Sequence, residues 1–276
     1  MGFLAAIDYF ADVQRSSGSA GDDRAWGIRL AGTAELWRIR RGTSLLITAA
    51  DEVAANAHKD GGFNPRGISW ELGLALVRRF AAFDWQVGFV HICRHEIDNT
   101  DHPRIPATPP DYVPTERTMS ANGPRSALIL RPIALGTVAG RRLHVRAALA
   151  GESYHHKWDG RIAPDTTPSM GFDSWMQAQG AASAAIRLEM ELWRRSAIFV
   201  RGSGIGVFFR AADGYPVTSG VRSNHRFEAG WRMPGSGGAF EIYLATERVF
   251  DDAMMPDPRP SHMTGIGLRI AERTHF

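Results

Sequence analysis

A chain of 276 residues, 44% hydrophobic and 22% charged, has the composition of an ordinary folded domain, and its net charge of +3 is spread without a Lys/Arg-rich run, which argues against nucleic acid as a partner. Charged or polar residues interrupt every apolar run well short of the roughly 18 residues that a spanning helix needs, so a helical membrane protein is excluded. The single cysteine, Cys93, excludes a disulfide scaffold.

What remains is a pattern of period two. Phe3, Ala5, Ile7, Tyr9, Ala11 and Val13 share one face of an extended chain, and Asp8, Asp12 and Gln14 share the other. Trp26, Ile28, Leu30, Ala34 and Leu36 alternate with Arg29, Thr33 and Glu35. Ile68, Trp70, Leu72, Leu74 and Leu76 oppose Ser69, Glu71 and Gly73, and Trp85, Val87 and Phe89 oppose Gln86 and Gly88. Leu143, Val145, Ala147 and Leu149 alternate with His144 and Arg146. From Met176 to Leu192 the even positions are apolar or small, whereas Arg187, Glu189 and Glu191 are odd. Phe227, Ala229 and Trp231, then Phe240, Ile242 and Leu244, continue the pattern against Glu228, Arg232 and Glu241.

The alternation predicts twelve strands, at 3–15, 25–40, 43–56, 67–79, 83–97, 125–136, 140–156, 174–194, 196–211, 217–233, 238–249 and 262–276. Several exceed ten residues, which is long for a soluble sheet and suited to tilted membrane spans. The connections alternate short and long, and the longest, 98–124 and 157–173, are expected to be outer loops. Residues 98–124 contain six prolines, which predicts no central strand there. The mean hydropathy of −0.22 fits strands with one lipid-facing and one polar face. The expectation is all-β: a transmembrane antiparallel up-and-down barrel of about twelve strands, one domain over 1–276. Its polar lumen would be lined by Arg29, Glu35, Glu71, Arg94, Arg146, Arg187, Glu189, Arg222, Arg226, Glu228, Arg232, Glu241 and Arg269.

In the last strand Ile266, Leu268 and Ile270 share parity with Phe276. This resembles the C-terminal β-signal of bacterial outer-membrane proteins, an alternating strand closed by an aromatic residue. The resemblance implies a mature outer-membrane chain whose signal peptide has been removed, with both termini periplasmic and contact with the barrel insertion machinery during biogenesis. The reading is of a monomer among outer-membrane lipids and lipopolysaccharide, with no cofactor, and with no metal because alternate strand residues such as His91 and His95 stand too far apart to share one.

The most chemically loaded segment is Phe89-Val-His91-Ile-Cys93-Arg-His95-Glu-Ile-Asp98. By parity His91, Cys93 and His95 continue the lipid face of Trp85, Val87 and Phe89. His91, His95 and Asp98 are similar to the His-x-x-x-His-x-x-Asp motif of an uncharacterised family of outer-membrane barrels. His91-Ile-Cys93 is similar in spacing to the His-x-Ser pair of outer-membrane phospholipase A and lipid A deacylases, with Cys in place of Ser, and implies His91 and Cys93 as catalytic residues. Gly202-Ser-Gly204-Ile-Gly206 lacks the following helix of a phosphate loop and reads as wall glycines. The sequence favours a narrow channel or structural barrel; an outer-leaflet lipid hydrolase and an envelope binding barrel are the alternatives. A pore requires an open lumen, whereas the hydrolase requires a third polar group on a neighbouring strand within hydrogen-bond reach of His91.

Overall fold

The computed structural model describes residues 2–18, 25–40, 42–57, 63–96, 116–162, 176–211, 219–235, 238–249 and 261–271. The strands are β1 (Gly2–Gly18), β2 (Trp26–Arg40), β3 (Thr43–Asn56), β4 (Asn64–Arg79), β5 (Phe83–Glu96), β6 (Glu116–Leu130) and β7 (Ile133–Val138). They continue as β8 (Arg141–Ser153), β9 (His156–Ile162), β10 (Met176–Glu191), β11 (Ala197–Ala211), β12 (Gly220–Gly235), β13 (Gly238–Val249) and β14 (Ser261–Ala271). All pairings are antiparallel, and β14 pairs with β1 from Phe10↔Ala271 to Gly18↔Met263, so the sheet closes. β6 with β7 forms one wall strand, broken at Arg131-Pro132, and β8 with β9 forms the next, so the fourteen segments make a twelve-stranded up-and-down barrel. Closing the sheet from β14 to β1 is the condition for a sheet in lipid, and among the described residues β7 and β9 pair on one side only, with β8 and β6.

Two boundaries differ from the sequence reading. The sixth wall strand begins at Glu116, not 125, and the seventh extends to Ile162, so the ends of both expected outer loops are wall. A bulge between Ala178 and Gly180 shifts the parity of β10, and Ala178 turns inward to pack with Val207 and Phe209. Phe276, Asp98, Trp175 and residues 97–115 and 163–175 lie outside the described residues.

Outside, the wall is apolar: Leu244 is 65% exposed and Phe227 61%, with Ile7, Leu30, Leu72, Leu149 and Ile266 exposed likewise. Trp37, Trp85, Trp193 and Trp231 face out near the end with short turns, where indoles suit a membrane interface. One of those turns is the two-residue Ala139-Gly140, both at positive φ (49° and 74°), as the right-handed twist of a tight hairpin demands.

Inside, opposite charges cross-link the wall. Arg269 reaches Asp12 at 2.9 Å, Glu228 at 2.7 Å and Glu241 at 3.0 Å. Arg187 holds Glu241 at 2.8 Å and Glu189, and Arg232 reaches Glu189 at 3.0 Å. Tyr243 donates its hydroxyl to Asp12 by lying over Gly267, where a Cβ would sit 2.2 Å from the ring, so that position demands glycine. Arg187, with 1% of its surface exposed, lies over the Phe199 ring at 3.8 Å. On the opposite wall, nearer the short turns, Glu35 accepts from Ser44 at 2.7 Å and pairs with Arg38 and Arg79, above buried Leu46 and Val77. Arg187, Glu241 and Arg269 on one wall and Glu35, Ser44 and Val77 on the other are almost without exposure, so side chains fill the lumen around them in the half nearer the short turns. The protein reconstituted in planar bilayers is therefore expected to carry no steady current; a stable open level would contradict the occlusion.

Candidate active site

The alternation that builds β5 places Val90 and Ile92 inward and His91, Cys93 and His95 outward. Val90 and Ile92 pack with Met119, Ala121, Tyr154 and Val207 inside the barrel, so the outward groups stand on a backbone fixed by core packing from behind. β6 runs alongside in a register that sets His91 opposite Asn122 and Cys93 opposite Ser120.

Across that pair His91 Nδ1 lies 2.9 Å from Asn122 Oδ1. A carboxamide oxygen only accepts, so Nδ1 carries the proton and Nε2 is left as the basic nitrogen. Cys93 Sγ lies 2.9 Å from His95 Nε2 and contacts the Ser120 hydroxyl. The His95 ring packs on Trp70 of β4 with centroids 4.8 Å apart, and Trp70 is itself opposite Cys93. Cys93 is 7% exposed beneath these side chains. The set comprises a thiol, an imidazole in contact with it, and a second imidazole whose tautomer a carboxamide fixes, at the end of the barrel with long connections. Among the described residues no three His, Cys, Asp or Glu side chains converge as a metal set.

His91 and Cys93 were legible in the sequence; Asn122, Ser120 and Trp70 were not. His155, at the loop edge, lies 3.4 Å from the Ser153 hydroxyl and takes no part.

The residues expected in the lumen divide into groups. Arg187, Glu189, Arg226, Glu228, Arg232, Glu241 and Arg269 form the cross-linked layer, in which Arg226 reaches Glu228 at 2.6 Å and also holds Glu247. Glu71 meets Arg125, a residue the sequence reading passed over, and Arg125 continues to Glu152 at 2.7 Å. Arg29 pairs with Glu52 at 2.8 Å, and with Glu71 and Arg94 it lines an inner cup of 490 Å³. Arg146 stands opposite Arg187, and Arg222 opposite Val207, both on the inner face.

A closed sheet that is apolar outside and ion-paired inside is built for a bilayer. The chain has the fold of an outer-membrane β-barrel. Similar solved structures include the outer membrane phospholipase A of Escherichia coli, at 12% identity over 96% of this chain and 92% of that one, with a TM-score of 0.47. The translocator domain of autotransporter NalP from Neisseria meningitidis aligns at 10% identity over 96% and 88%, with a TM-score of 0.43. Pseudomonas putida OprB aligns at 7% identity over 96% and 93%, with a TM-score of 0.37. Likeness at this level is one of general shape. No family model matches the chain, and no curated sequence is similar to it.

Proposed function

We propose that this barrel is a lipid acyl hydrolase working at the membrane surface, with Cys93 as nucleophile. The observation that carries the reading is the bond from His91 to Asn122 across two strands, on the outward face and beside Cys93. A base oriented by a third group near a nucleophile is the shared geometry of covalent acyl-transfer sites. The occluded lumen argues against the channel reading. With the long connections outside the cell, the site lies at the outer leaflet.

In this mechanism His95 Nε2 takes the thiol proton and the thiolate attacks a lipid ester carbonyl. The acyl C–O bond breaks, the leaving alkoxide takes the proton from His95, and a thioester with Cys93 remains while the deacylated lipid departs as an alcohol. His91 Nε2 then removes a proton from water as it attacks the thioester. The fatty acid leaves, the proton returns to sulfur, and the sum is ester plus water to acid plus alcohol. Residues two apart on a strand are separated by about 6.7 Å, enough for water to stand between His91 and the thioester. Lipid enters when the His95 and Trp70 rings turn aside, a side-chain motion that leaves the backbone in place.

The test is fatty-acid release from glycerophospholipids and from acylated glycolipid in mixed micelles, followed by mass spectrometry. Wild-type protein is expected to turn over and His91→Ala to lose at least a hundredfold, in the range of general-base catalysis. Absence of release from both lipid classes would sink the reading.

A further inference from the structure

Three arginines stand side by side on the inner face of the wall. Arg146 of β8 is directly opposite Arg187 of β10, and Arg187 directly opposite Arg201 of β11. Directly opposed residues on one face of an antiparallel sheet have Cβ atoms about 5 Å apart. Arg187 is bound by Glu189 and Glu241. The nearest carboxylate to Arg201 is Glu228, opposite it on β12, and that group is already engaged by Arg269 at 2.7 and 2.9 Å and by Arg226 at 2.6 Å. Arg201 Nη1 is left 3.7 Å from it, too far for a hydrogen bond, and Arg201 Nε is buried with no partner among the described residues. This guanidinium, 13% exposed, lines the inner cup.

One row nearer the long connections, the inward positions of the same three strands are Ala148, Ala185 and Ser203. Side chains of that size leave the space beside Arg201 unfilled, and the cup there holds 490 Å³, within the range of about 300–1,000 Å³ usual for small-molecule sites. Its other walls bring in Arg29 of β2 and the polar side chains of Ser69 and Asn224. The carboxylates that share the cup are held: Glu52 by Arg29 at 2.8 Å, Glu71 by Arg125, and Glu247 by Arg226 and by Gln14 at 2.6 Å. A buried guanidinium with an unpaired donor is costly until an acceptor reaches it.

We infer that the cup is a binding site for a small hydroxylated carboxylate, with Arg201 as the residue that takes the anion. The Nε–H and one Nη–H on an edge of a guanidinium form a fork that meets a planar carboxylate with two parallel hydrogen bonds. Hydroxyl groups of the ligand find donors and acceptors in Ser69, Ser203 and Asn224. Glu52, Glu71 and Glu247 set the limit on charge, because they repel a phosphate dianion more strongly than a monoanion. The layer around Arg187, Glu241 and Arg269 closes the cup toward the short turns, so the ligand's way in is from the end with long connections. The site shares no residue with the proposed hydrolase and stands or falls apart from it.

The experiment is isothermal titration calorimetry of the detergent-solubilised full chain with D-gluconate, with D-glucitol, which carries a hydroxymethyl group in place of the carboxylate, and with inorganic phosphate. Wild-type protein is expected to bind gluconate at least tenfold more tightly than either of the others. Arg201→Gln is expected to lose at least tenfold in affinity for gluconate and to bind glucitol as wild type does. Ser203→Leu keeps every arginine but fills the cup; it is expected to abolish gluconate binding, and it keeps the test valid if Arg201→Gln does not fold. Arg78→Ala, at an exposed arginine near the short turns, is expected to change nothing. Folding of each variant is read from its heat-dependent gel mobility. No gluconate binding at millimolar concentration, equal binding of glucitol or phosphate, or unchanged gluconate affinity in folded Arg201→Gln or folded Ser203→Leu overturns the inference.

Discussion

Replacing His95 and replacing His91 should stop the proposed reaction at different stages. His95→Ala removes the group in contact with the thiol. Acylation is then expected to fall by about 10³-fold, within the usual range for a positioned proton-transfer group, with no thioester formed. His91→Ala leaves the Cys93–His95 contact in place and removes the imidazole that Asn122 orients. It is expected to release about one equivalent of deacylated lipid in a rapid burst and then stall, with a fatty acyl mass added to the protein. Asn122→Ala should resemble His91→Ala in milder form, because it frees the tautomer without deleting the base.

Intact-protein mass spectrometry after rapid quenching reads the difference directly. An acyl adduct in His91→Ala and none in His95→Ala or Cys93→Ala is the expected outcome. Turnover in Cys93→Ala within a fewfold of wild type would remove Cys93 as nucleophile. Equal loss in both histidine variants with no adduct would mean that the two imidazoles do not divide the work as assigned. Truncations of groups that act as a unit are not additive, so the adduct discriminates better than the rates do.

The barrel was legible in the sequence because each strand must sort its residues by face, and sorting by parity survives without any knowledge of partners. The same rule placed His91 and Cys93 outward correctly. Asn122 escaped because Asn122-Gly123-Pro124 reads as a turn, yet these residues lie in β6. Gly123 is there because a Cβ would lie 1.6 Å from the Ser153 carbonyl, at the point where β6 changes partner from β9 to β8. Pro124 sits beside it on the exposed face, opposite Phe89. A break in the ladder and a loop carry the same residues, and only the neighbouring strands tell them apart. The pairing of His91 with Asn122 also spans residues 97–115, and sequence fixes no register across a connection of that length. The occlusion of the lumen was illegible for a related reason: inward charges of both signs are compatible with a wet pore or a closed layer, and the choice depends on which carboxylate each arginine reaches.

That closed layer should dominate stability, and Arg269 is its centre. Asp12, Glu228 and Glu241 converge on one guanidinium that is 4% exposed, while its face covers the Tyr243 ring at 4.4 Å. Arg269→Ala leaves three carboxylates of β1, β12 and β13 close together without their shared cation, and removing one partner of a buried ion pair costs about 3–5 kcal/mol. Urea unfolding in detergent micelles, followed by Trp fluorescence, should show an unfolding free energy lowered by that amount, read as a lower midpoint at unchanged slope. Arg269→Met combined with Asp12→Asn and Glu228→Gln removes the cation together with two of the charges it neutralises, and leaves Glu241 to Arg187. That triple variant should recover most of the loss, since a buried pair exchanged for neutral groups of similar volume is often close to neutral in stability. Recovery would assign the cost to unpaired buried charge. If the triple variant is as unstable as Arg269→Ala, the stabilisation comes instead from the guanidinium's packing against Tyr243 and Phe10, which methionine does not reproduce. A loss below about 1 kcal/mol in Arg269→Ala would show that water enters the layer freely enough to screen it, and the same variant in planar bilayers would then be expected to conduct no better than wild type.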